Sequence, residues 1–198
     1  MSLIIAKIDR ENHTQSVYSD GITVAGDEIL TNYSKKVGHF MHNGICVSYG
    51  NTGPAYFNQY VNQHFNAVFV TYVKDKQKFE RTPEYYLREL PVMFNEMRTK
   101  FVTEYNIADG DEEIVGEKGS VVVIDGEIYT VSQYKGENFR AKHYEGHDSI
   151  ACGVGEDAAK CLLDTTLPIE EIYDIISNHY STVNNNVFAE ANYIYLTE

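Results

Sequence analysis

The sequence contains no tryptophan, only four prolines and three cysteines, and sixteen basic residues against twenty-nine acidic ones. Each shortage excludes something. Cys46, Cys152 and Cys161 are odd in number and have no CxxC spacing, so a disulfide framework or a zinc site is not expected; they read as reduced, buried, small apolar residues. A formal charge of -13 repels phosphate backbones and anionic membrane surfaces, which argues against nucleic acid or a membrane as partner. No apolar run reaches the length of a membrane span, and no basic stretch followed by an apolar one marks a signal peptide, so a cytoplasmic protein is expected. The histidines show no HExxH spacing, and His39 and His42 merely flank a strand, so neither a metal nor a cofactor is implied.

What the chain has in quantity is aromatic surface, with 16 Tyr and 9 Phe in 198 residues that are 43% hydrophobic. That is enough for one domain with a sizeable core over 1–198. Tyrosine suits half-buried strands and subunit contacts, with core packing the commoner use.

Along the chain, Leu3 to Ile8, a polar break and a run through Val17 and Tyr18 form a hairpin signal. A polar segment from Asp20 to Lys36 follows, then a buried strand, Gly44 to Tyr49, stopped by Gly50, Gly53 and Pro54. Tyr56, Phe57, Tyr60, Val61, Phe65 and Val68 trace the apolar stripe of an amphipathic helix. Thr82-Pro83-Glu84 opens a second helical region, which Pro91 is expected to kink or split. The acidic stretch Asp109 to Glu113 lacks the register of a calcium loop and reads as a solvated turn. Asp125-Gly126 between two apolar runs is a strong hairpin signal. Another strand runs to Cys152, short helices follow Gly155 and Pro168, and Asn192 to Leu196 reads as a closing strand. Strands, helices, strands, helices and a last strand suggest an α+β fold of two stacked antiparallel sheets with helices outside.

Three segments match one family in order. Asp20-Gly21-Ile22-Thr23 with Lys35-Lys36-Val37, Asp20 and Lys36 being sixteen residues apart, is the first. Cys46 to Asn51 before an amphipathic helix is the second, and Ala151-Cys152-Gly153-Val154-Gly155 turning into a helix is the third. Together they resemble the proteasome β and HslV-type subunits of the N-terminal-nucleophile (Ntn) hydrolases, over almost the whole chain. The resemblance implies a four-layer αββα sandwich and a peptidase subunit in a homo-oligomeric ring, with a peptide as substrate and an ATP-driven unfoldase as partner.

It also implies roles. Such enzymes attack with an N-terminal hydroxyl or thiol while the free α-amine accepts the proton. By resemblance, Ser2 is the nucleophile once Met1 is removed, Lys36 the ammonium that tunes the amine, and Asp20 the carboxylate that orients Lys36. Asp27 is a second candidate for that carboxylate, but Asp20 fits the distance to Lys36 without a deletion. A backbone N–H within Ser48, Tyr49 and Gly50 would receive the oxyanion. The sequence departs from the pattern where active members carry a serine in the Gly-rich turn, here Val154, and where they place an aspartate before the last strand, here Asn184-Asn185-Asn186. Those departures define two alternatives: a catalytically inactive structural or assembly subunit, and an amidohydrolase of small amides.

Overall fold

The computed structural model describes residues 2–25, 28–31, 34–108 and 110–193. Strands β1 (Leu3–Asp9) and β2 (Thr14–Asp20) form the expected hairpin. They are flanked by β10 (Ser149–Gly153) and β11 (Val187–Tyr193) in an antiparallel sheet of order β10-β1-β2-β11. A second antiparallel sheet runs β5 (Val37–His42), β6 (Ile45–Thr52), β7 (Lys118–Ile124), β8 (Glu127–Gln133) and β9 (Arg140–His143). Between β2 and β5 the polar segment folds into a small hairpin, β3 (Thr23–Ala25) and β4 (Glu28–Thr31), for which no alternating pattern gives a signal.

Alternation along β1 explains the layering. Ile4, Ala6 and Ile8 face the second sheet and meet Val17, Val121 and Val123, whereas Leu3 and Ile5 face outward. Outside lie α4 (Glu156–Leu163) and α5 (Ile169–Ser177), whose Ile169, Ile172, Tyr173 and Ile176 cover that face. On the other side α1 (Ala55–Val73) and α2 (Pro83–Tyr105) pack Phe57, Phe65, Phe69, Phe94 and Phe101 onto the second sheet. The result is the four-layer αββα arrangement. Gln15 joins the two sheets from within: its Nε2 donates to Ser48 Oγ at 3.1 Å and its Oε1 accepts the Gly126 N–H at 3.0 Å. At the β7–β8 turn, Asp125 (φ 48) and Gly126 (φ 80) adopt the left-handed pair that a tight hairpin requires.

Several expectations are corrected. Pro91 does not split α2, which stays helical from Thr82, whose hydroxyl caps the Tyr85 N–H, to a left-handed Asn106. Buried Leu90, Met93, Phe94 and Met97 hold the helix to the sheet on both sides of the proline. The acidic stretch is not simply solvated: α3 (Glu112–Val115) carries Glu113, whose carboxylate accepts the Tyr56 and Phe57 N–H groups at 3.3 and 2.9 Å. It thereby caps α1, whose own N-cap, Pro54, has no side chain able to do so. Asp109 lies outside the described residues. The last strand begins earlier than expected, at Val187, and residues 194–198 are outside the described set. No disulfide joins the three cysteines, but only Cys46 is buried; Cys161 is exposed on α4. Among the described residues, no helix is long and apolar enough to cross a membrane.

Candidate active site

Ser2 immediately precedes β1 and is 4% exposed. Its N–H donates to Thr52 Oγ1 at 3.4 Å and its carbonyl accepts the Val154 N–H at 3.1 Å. The next residue, Leu3, donates its N–H to Asp20 Oδ1 at 3.0 Å and accepts the Tyr173 hydroxyl at 3.1 Å. Asp20 is fully buried at the end of β2, and its other oxygen accepts the Ile22 N–H at 3.1 Å and the Lys36 ammonium at 3.2 Å. Lys36 also donates to the Ile22 carbonyl. The structure thus brings Asp20, Lys36 and the first residues of β1 together.

Lys36 is gripped through its backbone as well. Its carbonyl accepts the Asn51 N–H at 2.9 Å, and the Asn51 side chain is held by Ser120 Oγ at 2.7 Å and Asn62 at 2.9 Å. Burial pushes the Asp20 carboxyl up, against the pull of Lys36 and the N–H groups of Ile22 and Leu3. Burial pushes the Lys36 ammonium down, against the pull of Asp20.

Ser48, Tyr49 and Gly50 are all residues of β6 rather than of the turn that follows it. They occupy the interior of β6, paired on one side with β5 and on the other with β7, so their backbone groups serve the ladders. Ser48 Oγ is bonded to Gln15, and the Tyr49 hydroxyl donates to the Asn62 carbonyl at 3.3 Å. Gly50 is the only residue that fits its place, because a Cβ there would lie 2.7 Å from an Ile4 methyl and 2.9 Å from one of Val17. The part of β6 that meets Ser2 is its end, Thr52. Sequence reading missed Thr52; its signal was the turn-forming Gly53-Pro54 that terminates the strand.

Val154 contributes only its N–H to Ser2, having no polar side chain. Asn184 Oδ1 accepts the Gly21 N–H at 2.9 Å, tying the segment before β11 to the residue after Asp20. Asp27 and Met1 lie outside the described residues. A cleft of about 320 Å³ opens beside Lys36, lined by Lys35, Val37, Gly38, His39, Tyr49, Asn62 and Glu190. In it Glu190 binds both Lys35 and His39, which accounts for His39 without a metal. Among the described residues no three His, Cys, Asp or Glu side chains converge as a metal site.

No protein-family model matches the sequence, and no curated protein matches it. Solved structures do. HslV from Trypanosoma brucei is 14% identical, with 96% of this chain and 98% of that one covered at a TM-score of 0.52. Anbu, the ancestral beta-subunit, from Yersinia bercovieri is 14% identical over 98% of this chain and 81% of its own, at 0.62. BPH from Thiobacillus denitrificans is 11% identical over 100% of both chains, at 0.60. At such identities the likeness is one of fold: this chain shares the four-layer αββα sandwich architecture of HslV, Anbu and BPH.

Proposed function

We propose that the chain is a subunit of a self-compartmentalising Ntn peptidase, active when Ser2 is its first residue. The observation that carries this reading is Asp20. One of its oxygens holds Lys36 at 3.2 Å and the other holds the Leu3 N–H at 3.0 Å, so one buried carboxylate aligns the cation with the start of β1. In the reaction the Ser2 hydroxyl attacks the peptide carbonyl and passes its proton to the Ser2 α-amine. Lys36, kept in place by Asp20, disfavours a protonated amine and so keeps it basic at neutral pH. The amine then protonates the leaving amine of the peptide, and water hydrolyses the acyl-serine by the same route. The end of β6 at Thr52, rather than Ser48 to Gly50, is where the oxyanion would be received.

The anion-repelling charge of -13 favours a peptide over a nucleic-acid substrate. Assembly into a homo-oligomer, with an ATP-driven unfoldase feeding it, belongs to the same reading; Anbu from Pseudomonas aeruginosa forms a helical assembly. The test uses epoxomicin, with which BPH from Thiobacillus denitrificans has been solved in complex. Protein beginning at Ser2 should gain one covalent adduct by intact mass, lost in Ser2→Ala and absent while Met1 is retained. Val154, which brings no hydrogen-bonding side chain to Ser2, favours the second reading, a catalytically silent subunit of the same fold. That reading expects assembly without any adduct.

A further inference from the structure

The Gly-rich turn at the end of β10 presses on Ser2 more closely than a side chain would allow. Gly153 has φ 99, and a Cβ on it would fall 2.0 Å from the Ser2 carbonyl oxygen and 3.5 Å from Thr52 Oγ1. Only glycine fits, and glycine leaves both of its backbone dihedrals weakly restrained. The direction of the following N–H, that of Val154, therefore depends on what anchors Gly153 from outside. That N–H is the donor to the Ser2 carbonyl at 3.1 Å.

The anchor is a carboxylate. Gly155, at φ 75, reverses the chain into α4 and puts Glu156 at its first position. From there Glu156 Oε2 turns back and accepts the Gly153 N–H at 3.2 Å. Its other oxygen is held by Lys160, one helical turn on, at 3.2 Å, which keeps the half-exposed carboxylate from swinging into solvent. A chain of contacts thus runs from Lys160 through Glu156 and Gly153 to the Val154 N–H and the Ser2 carbonyl.

We propose that Glu156 is a positioning residue for Ser2, acting on the Gly153 N–H: it holds the Cys152–Gly153 peptide, the unit next to the Gly153–Val154 peptide whose N–H holds the Ser2 carbonyl. Its consequence for reactivity rests on the reading of Ser2 as nucleophile; its consequence for Val154 does not.

The two are separated by two measurements on the full-length chain. In amide hydrogen exchange followed by NMR, Glu156→Ala should speed exchange at Val154 about tenfold, while Glu156→Gln, which keeps an acceptor oxygen, stays within about twofold of wild type. In protein that begins at Ser2, epoxomicin modification should slow about tenfold in Glu156→Ala and recover in Glu156→Gln, with Tm nearly unchanged. Unaltered Val154 protection in Glu156→Ala overturns the inference. So does a Glu156→Gln variant as impaired as Glu156→Ala, which would assign the effect to charge rather than to the hydrogen bond. Wild-type protein that never reacts with epoxomicin overturns the proposed function, and the Val154 exchange then decides the inference alone.

Discussion

Asp20 and Lys36 form an ion pair with side-chain exposures of 0% and 6%, and its energetics follow from that burial. Removing one partner of such a pair strands the other in a poorly solvating interior, a loss of about 3–5 kcal/mol. Lys36→Met should therefore lower urea stability at neutral pH by roughly that amount, with Asp20→Asn added on top restoring part of it. The pH dependence has a definite sign. Asp20, with its carboxyl pushed up by burial, contributes stability that is present in acid and lost as pH rises through its folded value. Without Lys36 that value climbs further, so the deficit of Lys36→Met should shrink on acidification; a deficit constant from pH 7 to pH 4 would contradict the pairing. This pair was singled out in the sequence only through the family resemblance, whose spacing Asp20 and Lys36 match. Thr52 was not, because it meets Ser2 only through a contact fifty residues apart in sequence, and Glu156 was not, because its bond to the Gly153 N–H gains meaning only where the turn after β10 reaches Ser2.

Helix α1 illustrates what an element owes to a distant one. Its apolar stripe announced the helix, but Pro54 offers no capping oxygen, and the Tyr56 and Phe57 N–H groups find Glu113 instead. Burial pushes the Glu113 carboxyl up, against the pull of those two N–H groups and of Lys118. Glu113→Ala should destabilise the protein by about 1–2 kcal/mol, as loss of a helix N-cap does, and Glu113→Gln by less. Thermal denaturation of the two variants measures the difference; equal losses would argue against capping. Amphipathic helices and the Asp125-Gly126 hairpin were legible because period and turn chemistry are local. The β3–β4 hairpin, the uninterrupted α2 and the early start of β11 were not, since pairing and packing outweigh local preference there.

At the scale of the molecule, the two sheets are stacked so that β5, at an edge of one, lies near β11, at an edge of the other. Glu190 on β11 binds Lys35 and His39, which flank the start of β5, and so joins the sheets beside Lys36. Burial alone would raise the Glu190 carboxyl, but the hydrogen bonds from Lys35 and His39 outweigh it and hold it below the ordinary value. Its stabilising contribution is thus present at neutral pH and lost as pH falls through that lowered value. Because Lys35 and His39 are half-exposed, the contribution is of the order of 1 kcal/mol. Glu190→Gln should cost about that much in urea stability at pH 7 and nothing at pH 3. A pH-independent loss would point to packing rather than charge.

The sequence by itself determined the secondary-structure periods and the negative charge, since each depends on residue type and local spacing. The tertiary structure alone decided which backbone meets Ser2. A strand's interior groups are consumed by its neighbours, as those of Ser48 to Gly50 are within β6, and among the described residues it is the end of β6 and the turn after β10 that bond to Ser2. Which strand ends converge depends on how two sheets stack, and no local pattern encodes that.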